Sequence, residues 1–278
     1  MSGAAVVSRF APSPTGHLHR GHAYSALTAH DAARAAGGRF LLRIEDIDAG
    51  RCRPEFTDAI FEDLAWLGLS WEQPVRRQSD HLDAYAAALE SLRERRLIYR
   101  CFRTRRDALE AMTQAPHDPS PAYFGVPLEP DEEVILLADG RPFAWRLSIA
   151  AAERALGGFE GLTFLDHANG LTLADPWRAG DVILARKDIG VAYHLAVVVD
   201  DAAQGVTEVV RGRDLLEATH IQRLLQALLG LPTPAYRHHR LILRPDGKRF
   251  AKRDTTETLR ALRATGMTPQ SLRAQLGV

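Results

Sequence analysis

Arg9-Phe-Ala-Pro-Ser-Pro-Thr-Gly-His-Leu-His-Arg-Gly-His22 is the stretch whose reading decides the fold. Before it, Ala4 to Phe10 reads as a buried first strand. After it, the alanine-rich segment from His22 to Ala36 reads as a helix closed by Gly37-Gly38. A strand that ends in a tight Pro/Gly turn and passes into a helix start presents backbone N–H groups and the positive end of a dipole, where an anion can sit. Gly21 lets a ligand approach the backbone closely. His19 and His22 bracket it with imidazoles suited to negative charge developing on a phosphate during displacement. An isolated H-x-G-H equally fits a plain turn with two solvated histidines.

Working outward, Arg39 to Ile44 reads as a second strand that ends in Glu45-Asp46-Ile47-Asp48. Pro54 opens a helix in which Phe56, Ile60, Leu64 and Leu67 recur at helical spacing, and another helix runs from about His81 to Arg96. This strand–loop–helix–strand–helix order predicts a parallel, nucleotide-binding α/β sheet. Residues 97–185 are less regular: a Pro-rich stretch from Pro116 to Pro130, an acidic turn at Asp131-Glu132-Glu133, and short strand candidates such as Phe143 to Ile149. They read as an insertion between two halves of the sheet. From Tyr193 the α/β pattern resumes with a strand at Leu195 to Val199, a strand at Glu208 to Arg211 and a helix at Leu215 to Leu229.

With 278 residues, 46% of them apolar and 25% charged, the chain has the profile of an ordinary globular protein. No apolar run approaches the roughly 18–20 residues that span a bilayer. The N-terminus MSGAAVVSRF lacks a signal-peptide core, and Cys52 and Cys101 cannot build a disulfide framework. A cytoplasmic enzyme without a membrane partner is expected. The formal net charge of zero disfavours a wholly basic binder but conceals a polarity. Residues 231–278 hold ten basic residues against three acids, a net +7, so residues 1–230 carry −7. Two of the three lysines, Lys248 and Lys252, fall in the short stretch KRFAK.

The RFAPSPTGHLHRGHA stretch resembles the first signature of the class I aminoacyl-tRNA synthetases, with His19-Arg20-Gly21-His22 in the place of "HIGH" and a flank like that of the glutamyl branch. LLRIEDID (Leu41 to Asp48), LAWLGLSW (Leu64 to Trp71), Gln78-Ser79, AYHLAVVVDD (Ala192 to Asp201) and VVRGRDLL (Val209 to Leu216) resemble the same branch. Arg249-Phe250-Ala251-Lys252-Arg253 falls where "KMSKS" is expected. The resemblance, spread over residues 9–253 in family order, implies an α/β class I synthetase fold. That fold is a Rossmann-like parallel sheet with an inserted α+β subdomain and a short C-terminal helical segment. The expected division is 1–96 and 191–232 for the two halves of the catalytic domain, 97–190 for the insertion and 233–278 for the signature loop and helical end.

The implied chemistry is attack of the glutamate α-carboxylate on the α-phosphate of ATP, accompanied by Mg2+, with pyrophosphate leaving. Glutamate brings one ammonium and two carboxylates. Glu45 is then expected to hold the ammonium, Arg9 and Arg211 the carboxylates, and Tyr193 to add a hydroxyl, with Ala11 and Ser13 shaping the pocket. Pro12, His19, Gly21, His22, Arg249 and Lys252 are the expected ATP contacts. His19, His22 and Lys252 would act on the phosphates as they react.

Two departures from the family pattern matter. Arg249 replaces the first lysine of the second signature and Ala251 its serine, so cationic charge is kept and a hydroxyl lost. Relatives in one branch hold zinc through a C-x-C pair, a tyrosine and a later cysteine. Here Tyr99 to Arg103 keeps Cys101 but has Arg103 at the second position, and Tyr123 is followed by no cysteine, so no zinc is expected. An arginine cluster stands there instead: Arg93, Arg95, Arg96, Arg100, Arg103, Arg105 and Arg106. It reads equally as a phosphate-contacting patch or as a solvated face paired with Glu94, Asp107 and Glu110.

Only 25 residues follow Arg253, fewer than an anticodon-binding domain needs. The resemblance is therefore to the truncated glutamyl-queuosine tRNA(Asp) synthetase branch, whose members activate glutamate without tRNA. They then esterify it to queuosine in the anticodon of tRNA(Asp). A monomer that docks on the anticodon arm is the expectation. A minimal synthetase charging the tRNA 3′ end and a catalytically silent RNA-binding paralogue are the alternatives.

Overall fold

A computed structural model describes residues 5–103, 122–186, 190–243 and 257–278 of the chain. Its first strand, β1 (Val7–Phe10), is buried along its whole length, as a strand covered on both faces must be. The Pro/Gly loop leads from it into α1 (Arg20–Ala35), and β2 (Arg39–Ile44) returns parallel to β1 with Phe10 beside Leu42. Pro at the N1 position starts α2 (Pro54–Trp66), β3 (Arg76–Arg77) adds to the edge of β2, and α3 (Leu82–Glu94) follows.

The middle of the chain contributes β4 (Ile98–Cys101), α4 (Pro130–Ala138), β5 (Ala144–Leu147), α5 (Ile149–Leu156), the hairpin β6 (Thr163–Asp166) and β7 (Gly170–Leu173), then β8 (Ile183–Arg186) and β9 (Gly190–Val191). Next come α6 (Tyr193–Ala203), β10 (Glu208–Gly212), α7 (Leu216–Leu229) and β11 (Ala235–His239), and α8 (Leu259–Ala264) and α9 (Pro269–Leu276) close the described chain.

Strands β3-β2-β1-β10-β11-β6-β7 form one sheet, parallel except for the last pair, and β4-β5-β8-β9 form a separate antiparallel sheet. The fold is thus α/β and Rossmann-like. Successive residues of the central strands serve opposite faces. Leu41 and Val209 join the core with α3, α5, α6 and α7, while Leu42 and Val210 join the core with α1, α2, α8 and α9. Strand order reverses where β1 lies between β2 and β10, which is where an open α/β sheet leaves a crevice at its carboxyl ends. Among the described residues no helix is long and apolar enough to cross a membrane.

Three expectations change. Leu195 to Val199 is not a strand but part of α6. Leu195, Ala196, Val197 and Val198 are all buried, so this helix shows no polar face and its apolar run carries no helical period. Residues 163–173, read as insertion, extend the main sheet through the Tyr236–Asp166 pairing of β11 with β6. Strand β11 was not foreseen.

One buried carboxylate in α2, Asp63, has no hydrogen bond among the described residues. Its ion pair with Arg263 of α8 is long, at 3.7 Å. Burial, opposed by Arg263 and reinforced by Glu62, pushes the Asp63 carboxyl up to about 6. A folded pKa above the ordinary 3.8 means that ionisation weakens the fold as pH rises through 4 to 6. Asp63→Asn is expected to gain about 1 kcal/mol at pH 8, screening by solvent included, and nothing at pH 4; urea midpoints at the two pH values measure it.

Candidate active site

The carboxyl ends of β1, β2 and β10 bring Arg9, Glu45 and Arg211 to one crevice. The chain after β1 folds over them, with the Glu45 N–H donating to the Pro12 carbonyl at 3.1 Å. A cavity of about 400 Å³ is lined by Arg9, Ala11, Pro12, Ser13, His22, Glu45, Tyr193 and Arg211, all singled out in the sequence. An adjoining cavity of about 420 Å³ shares Ser13, Glu45 and Tyr193 and adds Thr15, Asp48, Arg51 and Gln78. Two residues of the expected set, Arg249 and Lys252, lie outside the described residues, as do Ala251, Arg105 and Arg106.

His19 and His22 build the start of α1 in a way that fixes their tautomers. His19 is the N-cap, and its Nδ1 accepts the Gly21 N–H at 3.1 Å. The Nδ1 of His22 reaches back to accept the His19 N–H at 3.2 Å. The rings stand with centroids 3.8 Å apart. A nitrogen that accepts cannot carry the proton, so each ring bears its hydrogen on Nε2, where it is a donor. A Cβ on residue 21 would meet the His19 ring at 3.1 Å, so the cap itself favours glycine there.

Beneath the crevice lies a buried ion network that sequence reasoning missed. Arg9 donates through Nε and Nη2 to Asp201 at 3.1 and 3.3 Å. Arg43, fully enclosed, donates to Asp201 at 2.8 Å and to Glu45 at 3.2 Å, with Asp200 at 3.7 Å. Asp200 is further held by Arg76, Gln78 and the Tyr85 hydroxyl. Burial would raise the Asp201 carboxyl, but Arg9 and Arg43 outweigh it and hold it below the ordinary range. For Glu45 burial wins over Arg43 and Arg9, and its carboxyl is raised. The signal for Arg43 was present as a basic residue inside the apolar strand RFLLRI. That for Asp200 and Asp201 was two adjacent acids at the end of an apolar run.

Arg211 is fixed by a second missed group. Its Nη1 donates to Gln222 at 2.7 Å and lies 3.4 Å from the Tyr193 hydroxyl, and its Nη2 donates to Thr219 at 2.6 Å. The Nε donates to His238 Nε2 at 3.4 Å, and His238 Nδ1 faces Asp166 at 2.5 Å. Burial and the nearby Arg211 hold His238 below its ordinary pKa despite Asp166, so it accepts from Arg211 and donates to Asp166.

Among the described residues of the insertion, several polar side chains pair with one another. Cys101 Sγ is 3.7 Å from the Tyr123 hydroxyl, and the Arg146 guanidinium lies 4.2 Å from the Tyr123 ring centroid. Among the described residues the donors gathered there are one thiol and one phenol beside a cation, which is not a zinc donor set. Asp181 ties the region together by accepting from Tyr99, Gly125 and Ile149. Of the arginine cluster, Arg93 bonds Glu90, Arg95 bonds the Leu228 carbonyl and Arg100 bonds Glu133. These three guanidiniums serve intramolecular contacts.

Comparison with known proteins gives concordant results. Residues 5–277 match the family model described as tRNA synthetases class I (E and Q), catalytic domain. The chain is 47% identical to the Glutamyl-Q tRNA(Asp) synthetase of Rhodobacter capsulatus, over 98% of this chain and 100% of that protein. It is 46% identical to the protein of the same name from Nocardia farcinica, over 96% of this chain and 82% of that one. Among solved structures, a glutamate tRNA ligase from Elizabethkingia meningosepticum, crystallised in complex with its amino acid, superposes with a TM-score of 0.75 at 29% identity. The match covers 90% of this chain, which spans about half, 52%, of that ligase.

Proposed function

We propose, from the premise that the chain belongs to the catalytic-domain family of class I tRNA synthetases (E and Q), that it is an ATP-dependent ligase acting on glutamate and tRNA(Asp). It activates L-glutamate as glutamyl-adenylate and transfers the glutamyl group to the queuosine base in the anticodon. The strongest support is the 47% identity that runs the whole length of a relative named Glutamyl-Q tRNA(Asp) synthetase. The cavity at the ends of β1, β2 and β10 supports it chemically, since its charges complement those of glutamate.

In the first step a glutamate α-carboxylate oxygen attacks the α-phosphorus of ATP and pyrophosphate leaves. Glu45 accepts the substrate ammonium, and Arg211 and Arg9 face the two carboxylates. Arg9 has Nη1 to offer, since its Nε and Nη2 are given to Asp201. Arg211 comes with its orientation set by Thr219 and Gln222. Tyr193 adds a hydroxyl beside Arg211, and Ala11 and Ser13 bound the pocket. The Nε2–H groups of His19 and His22 and the α1 N-terminus receive the phosphates, and Pro12 and Gly21 let the nucleotide pack close against the loop. Mg2+ travels with ATP, and Arg249 and Lys252 neutralise the departing pyrophosphate. In the second step a hydroxyl of the queuosine cyclopentenediol attacks the glutamyl carbonyl, loses its proton and displaces AMP. The protein meets the anticodon arm as a monomer.

The test is to incubate the protein with ATP, labelled glutamate and queuosine-containing tRNA(Asp), digest the RNA and locate the label. Label on an anticodon fragment is expected. Label on the terminal adenosine would identify a 3′-charging synthetase instead, and absence of glutamate-dependent pyrophosphate exchange would identify a silent paralogue.

A further inference from the structure

We propose that the cavity between α3 and the antiparallel sheet takes an unstacked nucleobase of the RNA acceptor, one that flanks the glutamylated nucleotide in the strand. This rests on the function proposed above, because it requires an RNA lying across the crevice. The cavity has a volume of about 370 Å³, and its walls are Leu82, Tyr85 and Leu89 of α3, Phe143 and Trp145 at β5, and Val191 of β9. Arg186 belongs to the same lining.

Three observations select the occupant. The first is position. Val191 is a wall of this cavity and also of the 420 Å³ cavity that contains Glu45 and Tyr193, so the two are separated by the short strand β9. Glutamate ends within the reacting site. The nucleic acid alone continues beyond its reacting group, and the group next along it meets the neighbouring cavity.

The second observation is wall chemistry. Phe143 and Trp145 stand edge to face, centroids 5.6 Å apart at 87°, and Phe102 continues the row 5.5 Å from Phe143. Aromatic walls suit a flat heteroaromatic ring, whose faces are apolar and whose polar edge can stay toward water at the open side. Exposed Leu82, at 53% of its full accessibility, leaves the mouth open on the α3 side.

The third is charge. The Arg100 guanidinium lies 4.7 Å from the Trp145 centroid and 5.3 Å from that of Phe143, held there by Glu133. Arg100 over the rings and Arg186 in the lining are both cations beside the cavity, a setting that suits a site next to a phosphate backbone.

Phe143 belongs to neither buried core cluster, so it can be changed without opening the core. Phe143→Leu keeps apolar bulk and removes the ring; Phe143→Tyr keeps the ring. Phe143→Leu is expected to raise the KM for queuosine-containing tRNA(Asp) in glutamyl transfer roughly tenfold, and Phe143→Tyr to restore it. Pyrophosphate exchange, which uses no RNA, controls for fold and activation. In a second arm, anticodon stem-loops carry an abasic residue immediately 5′ or 3′ of the modified nucleotide. One of the two is expected to lose the same factor with the unaltered protein and nothing further with Phe143→Leu. A tRNA KM within twofold of the unaltered protein for Phe143→Leu would overturn the nucleobase site while leaving anticodon transfer intact. So would losses that multiply at both flanking positions. Label arriving on the 3′ adenosine would instead remove the function on which the site rests, and the site with it.

Discussion

Replacing Glu45 by glutamine is expected to lower glutamate-dependent pyrophosphate exchange by about two to three orders of magnitude, because a buried charge pair loses one partner. The carboxylate is 8% exposed at the edge of the cavity and accepts a hydrogen bond from Arg43 at 3.2 Å. A glutamine oxygen can still accept from Arg43, so the packing survives. What is lost is the negative charge that the proposed function sets opposite the substrate ammonium, and an amide N–H₂ group could point at that ammonium in its place. The fold of Glu45→Gln is therefore expected to stay close to that of the unaltered protein, measured by thermal melting, while the loss falls on activation. Burial already raises the Glu45 carboxyl, so the arriving ammonium lowers it again. Exchange at the unaltered rate in Glu45→Gln would remove this residue from the substrate site.

Replacing Arg43 by methionine acts on stability instead, with an expected loss of about 3–5 kcal/mol at neutral pH. Arg43 has no exposed surface and is shared among Glu45, Asp200 and Asp201. Asp201 keeps Arg9 and Asp200 keeps Arg76, but the three carboxylates are left with less positive charge than they need. Such carboxylates take up protons on folding, so the deficit of Arg43→Met should shrink as pH falls from 7.5 to 5.5. Urea unfolding at both values gives the comparison. A deficit that is the same at both would show that lost packing, and not charge, is the cause.

These two residues also show what the sequence could and could not reveal. The first strand, its Pro/Gly loop, the first helix and the second strand announce themselves locally through short buried runs, helical spacing and glycine stops. Most of the expected site residues are on or beside those elements. Asp201 and Arg43 are 158 positions apart, and nothing local to either states that they meet. The α6 helix was hidden for a different reason: buried on every side, its apolar residues show no period. In β11 the residues Arg237 and His239 alternate with Tyr236 and His238, so the strand resembles a polar connection until Glu208 and Asp166 are seen beside it. His238 was missed for the same reason, since its role exists only once β11 is laid against β10 and β6.

The sheet is centred on a pairing between partners 200 residues apart, where the Val7 N–H meets the Thr207 hydroxyl and Ser8 lies beside Glu208. During synthesis at about 5–20 residues per second, β1 and β2 therefore wait roughly 10–40 s for β10 to emerge. Their arginines lengthen the interval's hold on them. Arg9 and Arg43 cannot leave water until Asp200 and Asp201 arrive on α6, so the nascent amino-terminal half keeps a hydrated, charged edge while its neighbour is unmade. The ion network that later orders the crevice thus also guards an incomplete sheet against closing too early on the wrong strand.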